Sequence, residues 1–215
     1  MTLNESESAH GPIPDARIAV LVSGEGSNMR ALVCAAAETS WGGRIASVIA
    51  DRECAAIDWA DARRIPTRIL KLKDHPDRRA WDLALAGALD EFEPDLVVSA
   101  GFLKLLGPAV LTRYEGRILN THNSLLPAFP GVRGPADALE AGVKIAGATL
   151  FFVDAGTDTG AIIAQTAVPV EDDDTPESLL ERIKSAERLQ LVESIGRLIR
   201  EGWTIRGRRV RFGQR

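Results

Sequence analysis

Asn120 and His122 stand one strand step apart in the run Ile118-Leu-Asn-Thr-His-Asn-Ser-Leu-Leu-Pro127. The apolar residues before them read as a strand and the Pro-ended segment after them as a loop. Strand periodicity puts both side chains on one face, and strand ends are where open α/β sheets keep their sites. When an amine attacks a carbonyl carbon, the tetrahedral intermediate carries an oxyanion on one side and an ammonium proton to lose on the other. An amide donor beside an imidazole stabilises the first, and imidazole or a carboxylate accepts the second. A single His at a strand end is as often a structural hydrogen bonder, so a third group decides. The turn Asp154-Ala-Gly-Thr-Asp-Thr-Gly160 offers one. Asp and Gly are ordinary hairpin residues, and a calcium loop is unfavoured by Gly156, Thr159 and Gln165 at its third, sixth and twelfth positions. What remains is a plain turn or a carboxylate able to hold an imidazolium and relay its proton through water.

A second constellation follows the first strand: Ser23-Gly-Glu-Gly-Ser-Asn28, then the helical run Met29 to Ala37. Glycines let a backbone turn sharply and approach an anion, and the helix N-terminus stabilises the charge. Ser27 and Asn28 add two donors. A dinucleotide fingerprint needs a third small residue where Met29 stands, which weakens that reading, although Asp51 at the end of the second strand is where such a site would hold a ribose. A helix-capping turn without ligand is the alternative.

These residues need a scaffold. Arg17 to Val22, Ile45 to Ala50, Thr67 to Leu70 and Asp95 to Ser99 read as strands separated by Ala- and Leu-rich helices, which implies an α/β protein with a mostly parallel, helix-covered sheet. From Ile118 the rhythm changes. A strand to Thr121, a Pro-rich loop, a helix near Pro135 to Glu140 and two long strands, Ala146 to Val153 and Ala161 to Val170, add antiparallel character. A last helix opens at Thr175-Pro176, with Thr as N-cap, and runs toward Arg200 before a hairpin around Arg206-Gly207. The expected division is a loose tail, 1–16, and one domain, 17–215, with halves 17–116 and 117–215.

The 215 residues, 45% hydrophobic and 26% charged, suffice for a real core. Neither a long apolar run nor a signal-peptide pattern is present, so the chain reads as cytosolic with no membrane partner. Cys34 and Cys54 lack CxxC spacing, which argues against a disulfide framework or a zinc site, and they are expected to be buried, inert thiols. A net charge of −4 gives no overall attraction to nucleic acid. The basic stretch Arg206, Arg208, Arg209, Arg211 and Arg215 has no aromatic platform and reads as a solvated edge hairpin. Paired helices leave room for a homodimer, but no patch identifies one.

The ordered motifs Ser23-Gly-Glu-Gly-Ser-Asn28, Ala100-Gly-Phe-Leu-Lys-Leu-Leu106, Asn120-Thr-His-Asn-Ser-Leu-Leu-Pro127, Phe129-Pro-Gly131 and Gly147-Ala-Thr149 leading to Asp158-Thr-Gly160 resemble those of the phosphoribosylglycinamide formyltransferases from about Arg17 to the last helix. The resemblance implies a Rossmann-like half gripping a ribotide phosphate through Gly26, Ser27 and Asn28, and a second half helping to hold 10-formyltetrahydrofolate as co-substrate, without a metal. It implies that Asn120 binds the formyl oxygen, that His122 stabilises the oxyanion and moves protons, and that Asp158 positions His122 and holds it charged. Glu187 would contact the glycinamide. Leu103, Lys104, Leu105 and Leu106 with Asp154, Ala155, Gly156 and Thr157 would line the pterin pocket, and Arg78 would meet the folate tail. Asn123 replaces the family's usual Pro after the His, and Arg133 its usual His after Pro130-Gly131, placing a permanent cation on the amine or phosphate side.

Related formyltetrahydrofolate hydrolases also lack that Pro and share a pattern like Gly142 to Thr149, with water replacing the amine. Their regulatory module finds no room in sixteen residues before the first strand, and the phosphate loop would serve no purpose in them. Methionyl-tRNA formyltransferases share the Asn-x-His and Asp elements but carry a C-terminal tRNA-binding domain that this chain lacks. A non-enzymatic phosphate- or folate-binding module is the alternative of a different class.

Overall fold

A computed structural model of the chain describes residues 7–213. By its internal contacts the chain divides into two compact units, one of Ile13–Leu119 and one joining the residues up to Pro12 to those from Asn120 onward. A short strand, β1 (Glu7–His10), belongs to the latter.

The unit Ile13–Leu119 is built from β2 (Ala16–Val22), α1 (Ser27–Ala36), β3 (Gly43–Ala50), α2 (Ala55–Asp61), β4 (Thr67–Ile69), α3 (Arg78–Glu91), β5 (Leu96–Ser99) and α4 (Pro108–Arg113). Its strands run in the order β5-β2-β3-β4, every pair parallel. Successive residues of β2 point to opposite faces, yet Ile18, Ala19, Val20, Leu21 and Val22 are all fully buried. Both faces of this strand are therefore covered, which is why its sequence is a continuous apolar run instead of an alternation. α3 buries Trp81, Leu85 and Leu89, spaced four apart on one face. Its N-cap is Asp77, whose side chain accepts from the Ala80 N–H at 2.7 Å.

The second unit adds β6 (Ile118–His122), α5 (Gly134–Glu140), β7 (Ile145–Phe152), β8 (Ile162–Pro169), α6 (Pro176–Glu201), β9 (Trp203–Arg206) and β10 (Arg209–Phe212). The strand order is β1-β9-β10-β8-β7-β6. β7 and β8 pair antiparallel from Ile145↔Pro169 to Phe151↔Ile162, and β10 meets β8 in parallel. α6 opens on a capping box in which Thr175 accepts from the Ser178 N–H and Ser178 accepts from Thr175. Leu179 and Ile183 of this helix pack with Ala138, Ala146, Ala148 and Val168 from α5, β7 and β8. The α/β class and the change from parallel to antiparallel pairing agree with the sequence reading.

Three expectations need correction. Within the expected loose tail, Glu7–His10 is a strand paired antiparallel with β9, His10 opposite Trp203, and the two rings stack with centroids 4.6 Å apart. Ladder hydrogen bonds come from the backbone, so a mostly exposed strand forms here without an apolar alternation to announce it. The rest of that tail's beginning, residues 1–6, lies outside the described residues, as does Arg215. The same pairing means that the basic β9–β10 hairpin is not an edge, since β1 and β8 flank it. Cys34 is exposed and Cys54 partly so. On α1 the buried stripe is Met29 and Leu32, and Cys34 lies two residues past it, on the opposite side of the helix.

Trp203 is fully buried, between the rings of His10 and Phe152, whose centroids lie 4.6 and 5.8 Å from its own. Trp203→Ala is expected to lower the unfolding free energy by about 3–5 kcal/mol, measured by equilibrium denaturation. A loss below about 1 kcal/mol would show that this cluster does not support the unit.

Candidate active site

In the unit that contains Asn120 and His122, β6 continues through His122, so the two side chains share a strand face as their spacing required. His122 is buried, and its Nε2 lies 2.9 Å from the Phe129 carbonyl. A carbonyl only accepts, so Nε2 carries the proton of that bond and Nδ1 is the nitrogen left to exchange one. Nδ1 faces the Asp158 carboxylate, Oδ2 at 3.8 Å, close enough for charge attraction and too far for a direct hydrogen bond. Asp158 has a left-handed backbone, φ 56°, and its Oδ2 accepts from the Gly131 N–H at 2.9 Å. Gly131, with φ 90°, is the turn glycine that brings its N–H to this carboxylate.

The loop after β6 carries Phe129 and Gly131, and it hangs from one hydroxyl on β7. Thr149, fully buried, donates to the Ser124 carbonyl at 2.7 Å and accepts from the Leu126 N–H at 2.9 Å and from Gln165 Nε2 at 3.0 Å. Gln165 also donates to the Leu126 carbonyl at 2.8 Å, and Ser124 Oγ donates to the Ala128 carbonyl at 2.7 Å. Gly134 starts α5 against this loop, where a side chain would stand 2.5 Å from the Asn123 carbonyl.

In the turn Asp154–Asp158, Asp154 Oδ1 accepts from the Gly156 N–H at 3.0 Å and from the Thr159 hydroxyl at 2.7 Å, which fixes Ala155–Thr157 as a local turn. Glu187 is buried on α6, in line with Leu179, Ile183, Leu191 and Ile195. A carboxylate inside that apolar stripe is the signal that marks it. Arg133 is ion-paired at 2.5 Å with Glu140 and 3.3 Å with Asp137, both on α5.

The other unit holds the remaining candidates. Gly26 is the left-handed N-cap of α1, φ 71°, and a Cβ there would meet that of Ala56 at 2.6 Å, so glycine is required. Ser27 and Asn28 form the first residues of α1 behind it, where unpaired N–H groups gather. Arg78 Nη2 donates to the Leu105 carbonyl and its guanidinium lies over the Trp81 ring. Asp82, unflagged by the sequence reading, receives the Gly107 N–H at 2.7 Å and the Ala109 N–H at 2.8 Å. Its signal was a carboxylate on the buried face of α3 next to Leu85 and Ala86.

Asp51, the residue weighed as a ribose holder, is instead engaged with Arg52, whose Nη2 lies 2.6 Å away. Burial would push its carboxyl up, but hydrogen bonds from Arg52 and Ser23 and the charges of Arg52 and Lys104 hold it below the ordinary aspartate range. A lowered folded-state value means that its contribution to stability is whole above that range and fades as acid passes through the lowered one. Asp51, Arg52, Glu53, Lys71, Lys73 and Lys104 line a recess of about 500 Å³. Among the described residues no group of His, Cys, Asp and Glu side chains is arranged to hold a metal, and no helix is long and apolar enough to cross a membrane.

Residues 16–195 match the family model described as formyl transferase. Over 204 residues, 95% of this chain and 94% of the relative, the chain is 50% identical to a phosphoribosylglycinamide formyltransferase of Mycobacterium tuberculosis (strain H37Rv). The crystal structure of glycinamide ribonucleotide transformylase 1 from Symbiobacterium toebii superposes with a TM-score of 0.89 at 42% identity, covering 93% of this chain and 94% of that one. A formyltetrahydrofolate deformylase from Pseudomonas syringae matches with a TM-score of 0.86, 22% identity and coverage of 93% and 66%, a likeness of fold alone.

Thr149→Val keeps the shape of the side chain but strands the Ser124 carbonyl and the Leu126 N–H. At roughly 1–3 kcal/mol for each buried group left unpaired, the variant is expected to lose about 2–6 kcal/mol in chemical denaturation and to be cut faster by protease between residues 123 and 131. Parent-like stability and cleavage would mean the loop is held by other contacts.

Proposed function

The chain belongs to the formyl transferase family, and from that premise we propose that it transfers a formyl group from 10-formyltetrahydrofolate to the amine of 5'-phosphoribosylglycinamide, giving the N-formyl product and tetrahydrofolate in purine synthesis. The observation that carries the reading is His122, pinned at Nε2 by the Phe129 carbonyl with Nδ1 turned to Asp158, in a chain half identical to such an enzyme over nearly all its length.

In this reading the amine attacks the formyl carbon, a C–N bond forms, and the carbonyl electron pair moves onto oxygen. The Asn120 amide and the protonated His122 stabilise that oxyanion. The ammonium of the intermediate loses a proton toward the His122–Asp158 pair. The bond from carbon to N10 of the folate then breaks, N10 takes a proton, and the carbonyl re-forms. Gly26, Ser27 and Asn28 hold the ribotide phosphate at the start of α1, and Glu187 meets the glycinamide. Leu103–Leu106, Arg78 and the turn Asp154–Thr157 hold the folate. Arg133, to serve the ribotide, must exchange Glu140 and Asp137 for it. Both substrates are small molecules, and the exposed unpaired thiol of Cys34 suits a reducing compartment such as the cytosol.

Asn123 after the catalytic His favours one rival, hydrolysis of the formylfolate by water. The test is folate turnover with and without the ribotide: turnover should require it, and equal rates in both cases would favour the hydrolase. Asn120→Ala and His122→Ala should each lower kcat by on the order of 10²–10³, the usual cost of an oxyanion donor, with Asp158→Asn comparably damaging. The losses should be non-additive in the triple variant, since the three groups serve one intermediate. Retention of more than about a tenth of kcat by His122→Ala would sink the assignment.

Ser27→Ala or Asn28→Ala should raise the ribotide KM more than it lowers kcat, as for a group that binds ground and transition states alike. Arg133→Ala should raise the ribotide KM and leave the folate KM unchanged; an unchanged ribotide KM would leave Arg133 as a partner of α5 only.

A further inference from the structure

The segment Leu103–Leu106 has little packing to hold it in place. Leu103 and Leu105 are 67% and 68% exposed, so the course of its backbone is set by polar anchors. Arg78 holds the Leu105 carbonyl, and Asp82 holds the far end through Gly107 and Ala109. The near end is held by the Ser23 hydroxyl, which accepts from the Leu103 N–H at 2.8 Å. Ser23 follows β2, Leu103 lies beyond β5 and Asp51 follows β3, so three strand ends of the parallel sheet converge on this point.

We propose that Asp51 is a positioning residue for folate binding: its charge directs the Lys104 ammonium, on the segment whose near end the Ser23 hydroxyl holds. The Asp51 side chain is 1% exposed and makes a two-pronged contact with Arg52, Nε at 3.1 and 3.2 Å from its two oxygens and Nη2 at 2.6 Å from Oδ2. Lys104 Nζ stands 3.9 Å from Oδ2. The Ser23 hydroxyl helps hold the Asp51 carboxyl below the ordinary aspartate range. A contact with a buried, ionised carboxylate is stronger than the same contact between neutral groups. Arg52 balances that charge, so Asp51 can stay ionised beneath the loop. Lys104, at the longer distance, remains oriented but not captured, with its ammonium available to an anionic part of the co-substrate.

The inference rests on the reading that Leu103–Leu106 line the folate pocket, and the measurements separate the two. Steady-state kinetics on the full-length enzyme, varying each substrate, are joined to equilibrium dialysis with tetrahydrofolate. Ser23→Ala and Asp51→Ala should each raise the folate KM and the tetrahydrofolate Kd by roughly ten- to a hundred-fold, the order that a small misplacement of a binding group costs. The ribotide KM should move less than twofold, although Ser23 borders the loop assigned to the phosphate. Ser23→Thr, which keeps the hydroxyl that holds Leu103, should keep parent-like folate binding. Should Asp51→Ala fail to fold, Asp51→Asn carries the test, the amide keeping the shape of the side chain but releasing Lys104.

A folate KM and Kd unmoved in these variants would overturn the role of Asp51 while leaving the formyl transfer reading intact. A rise in both KM values together with a lower Tm would overturn it too, as a structural effect. Absence of ribotide-dependent formyl transfer in the parent enzyme would sink the reading above and this assignment with it.

Discussion

A buried hydroxyl has one proton to give, and the way Thr149 spends it organises the unit that carries Asn120 and His122. It donates to the Ser124 carbonyl and receives the Leu126 N–H and Gln165, so a strand side chain substitutes for the backbone partners that an irregular loop cannot supply itself. From that suspension point the loop delivers two backbone groups of opposite character. The Phe129 carbonyl takes the Nε2 proton of His122, and the Gly131 N–H takes an oxygen of Asp158. Imidazole and carboxylate are thus oriented by the same piece of chain, and their separation of 3.8 Å is set by backbone instead of by flexible side-chain contact. Sites need such rigid support, since a group left loose by an ångström loses most of its effect.

The unit Ile13–Leu119 solves a similar problem with charge. Its segment between β5 and α4 is held by buried carboxylates and a cation that belong to other elements: Asp82 on α3 through Gly107 and Ala109, Asp51 after β3 through Lys104, and Arg78 at the first turn of α3 through the Leu105 carbonyl. Carboxylates are apt anchors for backbone N–H groups because each oxygen accepts more than one bond and the ionised group strengthens each. A Cβ at position 107 would stand 2.4 Å from the Asp82 Cγ, so a larger residue there would displace the anchoring carboxylate. The sheet supplies the rigid part, and the polar anchors decide where the exposed leucines point.

Much of this was legible in the residues. The fully apolar run of β2 follows from a sheet covered on both faces, and the Thr175-Pro176 start of α6 follows from capping chemistry. Asn120, His122 and Asp158 stand out by type and by their place at a strand end and a turn. What stayed hidden has physical reasons. The bonds of β1 are made by backbone alone, which leaves no mark on side-chain pattern. Thr149 looks like one more β-former in a strand, because a hydroxyl's partners lie more than twenty residues away in the chain. Asp51 offered its carboxylate on paper, and only the folded chain reveals Arg52 already upon it. Arg133, read as a cation for a substrate, is folded back onto Glu140 and Asp137, since a charge in sequence carries no information about which neighbour reaches it first.

The pairing of β1 with β9 has a bearing on how this chain should be handled. Glu7–His10 covers a backbone edge of β9, and His10 closes over Trp203. A bare β9 would present a row of open N–H and C=O groups beside an uncovered indole, the combination that recruits strands from other molecules. The short, solvent-facing β1 acts as a chaperoning flap for that edge. Shortening the N-terminus past His10, harmless to every residue assigned to catalysis, would convert a monomer-compatible edge into an adhesive one and turn a question of activity into one of aggregation.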